Sequence, residues 1–509
     1  MAGMKFFFVL DLLKLFVKHP VVSLQNINPE NIRRLLAAMK NHSGRTVVGI
    51  VSNNLKHQAA LQGVYADDSI VASKDSQGKV YELERKYPGI TEPVALSNIC
   101  MLEEKIAPVP YVISYKEPVR VNLLLPQLDP HIMFGGYISC LHFIRRLREE
   151  NYRVRVVLCE SGQFDRKAVL DKLSSNQQLR EAVDGVEFEN ISSKEHPLRM
   201  SGDDAFIAYS YWTALIAHQF ASAVGKEYIF FLQEYEAIFH PHDSCYALAS
   251  YVYQLPHYAV FNTQLLAEYF RERNLGVFSQ YSGEQLNDHF IAFQHALTPT
   301  SPQTLNQMAQ RKTRRLLFYG RPESHAKRNL FEIALIGLKM AVKQNVFDEC
   351  WEFIGVGTLG TEHTIELGKG HVLELRPSLP QQDYAESLRS FDIGMSLMMA
   401  PHPSIIPFEM ASSGMVVVTN SFESRTDDVL RGISRNIEPC LPAPQSVAES
   451  LRKAVDRVGD YQARYDNSNL DWVMDWDQSF NKSVMEKVGR FISARVVDKV
   501  TGRRNIEAG

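Results

Sequence analysis

The residues best placed to do chemistry lie between positions 397 and 421, in LMMAPHPSIIPFEMASSGMVVVTNS. Ser404, Pro407 and Glu409 mark the start of a short helix over residues 405–413. Ser caps a first turn, and Pro fits inside one because its missing N–H is not needed there. Gly414 suits the left-handed exit of that helix, and Val416, Val417 and Val418 read as a buried strand. A helix N-terminus at the carboxyl end of a strand offers unpaired N–H groups and partial positive charge, a site for a diphosphate. Glu409, about one turn in, could accept hydrogen bonds from neighbouring sugar hydroxyls. An ordinary αβ unit with a solvated Glu is the competing reading.

Three further groups carry chemistry. Arg321, Lys327 and Arg328 follow a short apolar strand. With the 404–409 unit they would surround a diphosphate with fixed positive charge, as a leaving nucleoside diphosphate requires. Alone, they would read as a solvated basic loop. Gly135-Gly136 opens a helix after a strand, where backbone can approach a ligand. The spacing is not GxGxxG, so no dinucleotide fingerprint is present, and a plain turn is the alternative. Residues 233–243 (QEYEAIFHPHD) follow another strand. Their rings suit the apolar faces of a sugar, and Glu234 and Glu236 its hydroxyls. His240, His242 and Asp243 as metal ligands is the weaker reading, since no further ligands are visible.

The elements positioning these residues form two α/β series. In the first, residues 121–125 are a strand and Tyr137, Leu141, Ile144 and Leu147 one helical stripe ended by Asn151. Tyr152, Val154 and Val156 then alternate with Arg153 and Arg155 as the next strand, and runs at 205–208, 228–232 and 259–262 add others. Residues 301–313 are polar and read as a linker. The second series has strands at 316–319, 351–354, 372–375, 393–397 and 416–418, and helices at 330–342, 381–389 and 445–455. The expected fold class is therefore α/β, two doubly wound Rossmann-like units with a cleft between them as the site.

Composition narrows the class. The 509 residues are 45% hydrophobic and 22% charged with a net charge of −3, which gives no reason to expect nucleic acid. The six cysteines are scattered and form no CxxC, so they read as reduced residues of a cytosolic protein. No apolar run approaches the ~20 residues that span a bilayer. The first 20 residues form an amphipathic helix with Phe6, Leu10, Leu13 and Val17 on one stripe. It suits a membrane surface, or docking on the body of the protein or on a second copy; docking is favoured. Asn28-Pro29 opens a second helix, with Ile32, Leu35, Leu36 and Met39 in phase, and residues 47–51 suit a strand.

On these motifs the chain resembles GT-B glycosyltransferases. It is similar to glycosyltransferase family 4, and most of all to WsaF-type rhamnosyltransferases. The segments that carry the likeness are Gly135-Gly136, QEYEAIFHP, YGRP followed by KRN, IGMSLM and HPSIIPFEMASSG, across roughly residues 120–480. The resemblance implies a donor nucleotide on the C-terminal domain and a glycan acceptor, lipid-linked or free, on the N-terminal one. Arg321 and Arg328 would hold the pyrophosphate, with Lys327 as competitor, and Glu409 the ribose. Residues 375–379, with Arg376 and Ser378, would frame the base; Ser404 and Ile405 would meet the distal phosphate; Gly135 and Gly136 would lie beside the donor. Asp129, Glu234, Tyr235 and Glu236 are the acceptor-side candidates. The family places a second Glu eight residues before Glu409, where this chain has Pro401; the neighbouring His402 could contact the sugar instead.

The subfamily implies dTDP-β-L-rhamnose as donor, a growing cell-surface polysaccharide such as O-antigen as acceptor, and retention of anomeric configuration. No metal or other cofactor is expected. The expected place is the cytoplasm or the inner face of its membrane, as a monomer or a homodimer. The expected layout is an extension over residues 1–115, an acceptor domain over 116–300, the linker, a donor domain over 314–478, and a tail over 479–509 whose helix crosses back. Rival readings are a UDP- or GDP-sugar enzyme, an epimerase, and a non-catalytic scaffold in a glycan assembly complex.

Overall fold

The computed structural model describes residues 93–130, 135–160, 164–174, 176–377, 379 and 381–495. The helices expected in the first 40 residues, the strand at 47–51, Ser378 and the tail from 501 lie outside the described residues. The chain divides into two units, Met1–Glu103 and Glu104–Gly509, and the following concerns the second.

Seven strands build its first sheet: β1 (Val121–Leu125), β2 (Val154–Leu158), β3 (Glu187–Asn190), β4 (Ala205–Ala208), β5 (Tyr228–Leu232), β6 (His257–Asn262) and β7 (Phe290–Phe293). Their order is β3-β2-β1-β4-β5-β6-β7, and every pairing is parallel. The chain thus reverses direction across the sheet at β1/β4, the place where doubly wound sheets bind ligands. Leu123 sits opposite both Val156 and Ile207, which fixes the register of the central strands. Helix α1 (Gly135–Glu149) starts at the carboxyl edge and buries Leu141, Ile144 and Leu147 on the sheet.

Parallel strands covered on both faces are buried throughout. The alternation of Arg153 and Arg155 with apolar residues suggests a strand with one wet face; instead all of β2 is buried. Arg155 is tolerated because two of its three guanidinium nitrogens are hydrogen-bonded and a carboxylate lies close to the third. Its Nε donates to Asn122 Oδ1 at 2.7 Å and its guanidinium to Arg199 O at 2.9 Å, with Asp204 3.7 Å away.

The second sheet comprises β8 (Arg314–Tyr319), β9 (Trp351–Thr358), β10 (His363–Gly368), β11 (His371–Pro377), β12 (Ile393–Met395), β13 (Val416–Asn420) and β14 (Ile437–Cys440). The order is β10-β11-β9-β8-β12-β13-β14. Only the β10/β11 hairpin is antiparallel. The strand expected over 351–354 runs on to Thr358 and takes the Gly355-Val356-Gly357 stretch into the sheet. A Cβ on Gly355 would stand 2.6 Å from Leu375 Cδ1, so a larger residue there would have to displace that side chain. Strands β10 and β14 have no counterpart in the sequence reading.

Helix α2 (Ile406–Ser412) lies between β12 and β13, and helix α3 (Lys482–Ser493) packs Val484, Met485, Val488 and Phe491 into the core of the first sheet. The stretch read as linker contains a helix, Leu305–Gln310, started by a reciprocal Thr304/Gln307 cap. It is fastened at the foot of the second sheet. Fully buried Asp392 accepts from Arg311 (2.8 Å), Arg314 (3.3 Å), Arg464 (3.1 Å) and the backbone N–H of Arg315 (3.0 Å). No helix among the described residues is long and apolar enough to cross a membrane.

Candidate active site

The carboxyl edges of the two sheets meet, and most candidate residues lie where they touch. Gly135 and Gly136 begin α1 for different reasons. A Cβ on Gly136 would stand 2.6 Å from Tyr209 Oη, so one would enter only if the Tyr209 ring gave way. A Cβ on Gly135 would make only ordinary contacts, 3.5 Å from the His295 ring and 3.6 Å from Ile405 Cδ1. Those two neighbours belong to opposite sides of the junction.

Arg321 and Arg328 arrive from the end of β8. Arg321 is buried, and Arg328 is carried by the short helical turn Ser324–Asn329 with its guanidinium 4.7 Å over the Phe239 ring. The Arg328 carbonyl accepts from Met399 N at 2.7 Å, which ties this turn to the loop after β12. Burial lowers the Arg328 pKa; the nearby Glu234 opposes that, and Arg321 adds to it. Lys327, the competitor, is exposed. Arg376 is also at the surface, paired with Glu374 at 2.6 Å and Glu362 at 3.9 Å, and joins none of the groups above.

The α2 unit corrects one expectation and removes one competing reading. Ser404 does not cap the helix: Ile405 holds that position, no side chain caps it, and the helix is seven residues long. Ser404 adopts a left-handed conformation (φ 59°), and its Oγ reaches only Ile406 N, at 3.4 Å. Gly414 does take the left-handed exit (φ 86°). Glu409 is not solvated. It is 2% exposed, and its Oε1 accepts from Thr298 N at 3.0 Å, on the chain leaving the first sheet. Burial pushes its carboxyl up to about 7.

Across the junction, Glu234 Oε1 accepts from His402 N at 3.2 Å and from Tyr235 N at 3.0 Å. The residue is 8% exposed, and burial pushes its carboxyl up to about 7 against the pull of Arg328 and Arg425. The loop carrying His402 is pinned from behind. Fully buried Arg425 donates to Met398 O (2.7 Å) and His402 O (3.3 Å), while the Asn420 amide clamps the Met398 backbone at 2.7 and 3.1 Å. His402 Nδ1 accepts from Ser404 N at 3.2 Å, which leaves the ring hydrogen on Nε2. That Nε2 is buried and has no hydrogen-bond partner among the described residues.

The acceptor-side candidates separate. Glu236 Oε2 accepts from Tyr211 N at 2.6 Å, and burial pushes its carboxyl up to about 8. Asp129 lies half-buried after β1, close enough for its charge to act on Tyr137. Tyr235 is a packing residue: its ring is enclosed by those of Tyr253, Tyr269 and Phe270. His240 Nε2 pairs with Tyr211 Oη at 2.9 Å, and Asp243 caps the helix Ser244–Val252. No metal-binding cluster exists among the described residues.

Two residues at the junction were not anticipated. His295 follows β7 in a stretch without periodicity, and Arg425 stands in a polar loop. Only the partners of Arg425, both backbone carbonyls, reveal its place.

A family model described as the WsaF N-terminal domain matches residues 120–264, and one described as the WsaF C-terminal domain matches residues 314–452. An O-antigen biosynthesis protein of Myxococcus xanthus, RfbC, is 30% identical over 231 residues, 44% of this chain and 16% of that protein. The chain thus spans only a small part of that relative. HepE from Anabaena, solved with UDP and glucose, aligns at a TM-score of 0.48 and 12% identity over 74% of this chain and 100% of its own. WaaG, a glycosyltransferase involved in lipopolysaccharide biosynthesis, aligns at 0.44 and 13% over 73% and 99%. The two WsaF models each fall on one of the two sheets and together cover more than half of the sequence, and the chain therefore belongs to the WsaF family of GT-B glycosyltransferases.

Proposed function

We propose that this chain transfers L-rhamnose from dTDP-β-L-rhamnose to a growing cell-surface polysaccharide, with retention of anomeric configuration. The observation that carries the reading is the convergence of Arg321 and Arg328 at the end of β8, against Glu234 and His402 from opposite sides of the junction. Two guanidinium groups brought together in a buried place favour a dianionic ligand, since each lowers the cost of placing negative charge there. A departing nucleoside diphosphate develops its charge at such a point, and donors already in place stabilise it. The arginines do what a divalent cation would otherwise do, so the proposal includes no metal.

In this scheme Glu409 contacts the ribose, Ser404 and Ile405 flank the distal phosphate, and Glu236 and Asp129 line the acceptor side. The polysaccharide setting is supported by the stretch shared with the O-antigen biosynthesis protein. Rhamnose is supported by the family likeness.

The test is Arg321→Ala, compared with the unaltered chain in thermal shifts with dTDP, UDP, GDP and ADP and in a transfer assay. At 100 times its dissociation constant a nucleotide adds about 2.7 kcal/mol of stability. A shift with dTDP that the variant loses, together with loss of transfer, is the expected result. A shift with UDP or GDP alone would move the donor. A folded and fully active Arg321→Ala chain would overturn the assignment.

A further inference from the structure

We infer that His295 and His402, one from each side of the junction, form an imidazole pair that hydrogen-bonds a hydroxyl group of the transferred sugar. The inference rests on reading the junction as a nucleotide-sugar site. The two rings stand edge to face with centroids 6.1 Å apart. His402 offers a buried Nε2–H without a partner among the described residues. A buried donor left without an acceptor is destabilising, so its presence points to a ligand.

His295 is 3% exposed and held more firmly than a space-filling ring needs. Its Nδ1 meets the Asn262 amide at 2.9 Å; that amide also bonds Gln233 Oε1 at 2.7 Å, and Ser139 Oγ reaches the same oxygen at 3.1 Å. Trp472 Nε1 donates to the His295 carbonyl at 2.7 Å. This leaves Nε2 as the edge turned toward the first turn of α1, 3.5 Å from where a Cβ on Gly135 would stand. Arg328 is close enough for its charge to act on His402. The group next in line from a diphosphate held by Arg328 is the sugar. Burial keeps both rings uncharged, with His295 pushed down to about 3. With each Nδ1 engaged, both rings present an uncharged Nε2–H, a donor that suits the oxygen of a sugar hydroxyl.

The experiment is calorimetric titration of the full chain, of His295→Gln and of His402→Gln with dTDP and with dTDP-β-L-rhamnose. UDP with UDP-glucose, and GDP with GDP-mannose, are run in the same way. The expected result is unchanged affinity for the free diphosphate and a loss of about tenfold, in each variant, for the sugar-bearing form. Equal weakening of both ligands would mean that the rings only hold the junction together, and would overturn the inference. Unchanged binding of both would overturn it as well. If His295→Gln fails to fold, His402→Gln decides alone, since its ring leans on one backbone N–H. A wild-type chain that binds no nucleotide would remove the nucleotide-sugar reading and this inference with it.

Discussion

Glu234→Gln separates two accounts of how the junction is held. In one, burial keeps the Glu234 carboxyl protonated near neutrality; in the other, Arg328 and Arg425 hold it as a carboxylate. The carboxyl moves from 4.5 to about 7 in the folded chain, with burial the leading cause. A shift of that size disfavours the charged form by about 3 kcal/mol. Its sign follows from proton binding: the folded chain holds the proton more tightly than the unfolded one. The stabilising contribution is therefore complete below pH 4.5, drains away as pH rises, and is gone above about 7. Gln keeps the shape and a carbonyl oxygen for the N–H groups of His402 and Tyr235, and does not ionise.

The variant should match the unaltered chain near pH 4.5 and exceed it by up to about 3 kcal/mol at pH 8. Glu409, also pushed up by burial, is common to both chains and cancels in the difference, whereas Glu236 feels the Glu234 charge and is relieved of it in the variant, which adds in the same direction. Urea unfolding at pH 5, 6, 7 and 8 measures it, followed by the fluorescence of Trp472 and Trp476, which pack at this junction through His295. A variant less stable than the parent at pH 8 would refute the reasoning, because it would show an ionised carboxylate drawn in by Arg328 and Arg425. Equal stability at every pH would show that the contact stays wet in solution. If the expected gain is found, a side chain retained at that cost in stability has been kept for function.

Asp392→Asn leaves three arginines at a buried point without their counter-charge and should cost about 3–5 kcal/mol in denaturant unfolding. Gly136→Ala should cost about 1–3 kcal/mol, because the new Cβ meets Tyr209 Oη at 2.6 Å, and pairing it with Tyr209→Phe should restore much of the loss in melting temperature. Gly135→Ala, with nothing nearer than 3.5 Å, should change stability by less than about 1 kcal/mol.

What was legible in the sequence was local. Gly135, Asn151 and Gly414 punctuate their helices because helix ends are decided by a few neighbouring residues, and Asn151 and Gly414 both adopt left-handed backbone (φ 64° and 86°). The apolar runs of β1, β4, β5 and β13 stand out because strands buried on both faces are largely apolar. Strand β10 was hidden for the opposite reason. It is an exposed edge strand of mixed composition, joined to β11 across Gly368, Lys369 and Gly370, all with positive φ. Nothing in HTIELG has to alternate when only one residue is buried.

The candidate site was legible as separate loops and illegible as an assembly. Glu234 and His402 are 168 residues apart, Thr298 and Glu409 111 apart, and Arg425 acts on carbonyls from the far side of β13. Periodicity reports which face of an element is buried, and not which two sheet edges meet. That meeting is decided by residues 294–313, anchored at Asp392 through Arg311, and by α3 returning to the first sheet. This geometry reassigns the acidic residues. Glu234 and Glu236 look alike in QEYEA, yet Glu236 bonds the N-terminus of a neighbouring helix within its own domain, whereas Glu234 reaches the other domain. Glu234 is thus the only one of the two whose hydrogen bonds span the junction. Because burial at that contact pushes the carboxyl up to about 7, nucleotide-sugar binding that depends on the contact should weaken as pH rises through that value, which calorimetric titration between pH 5 and 8 measures.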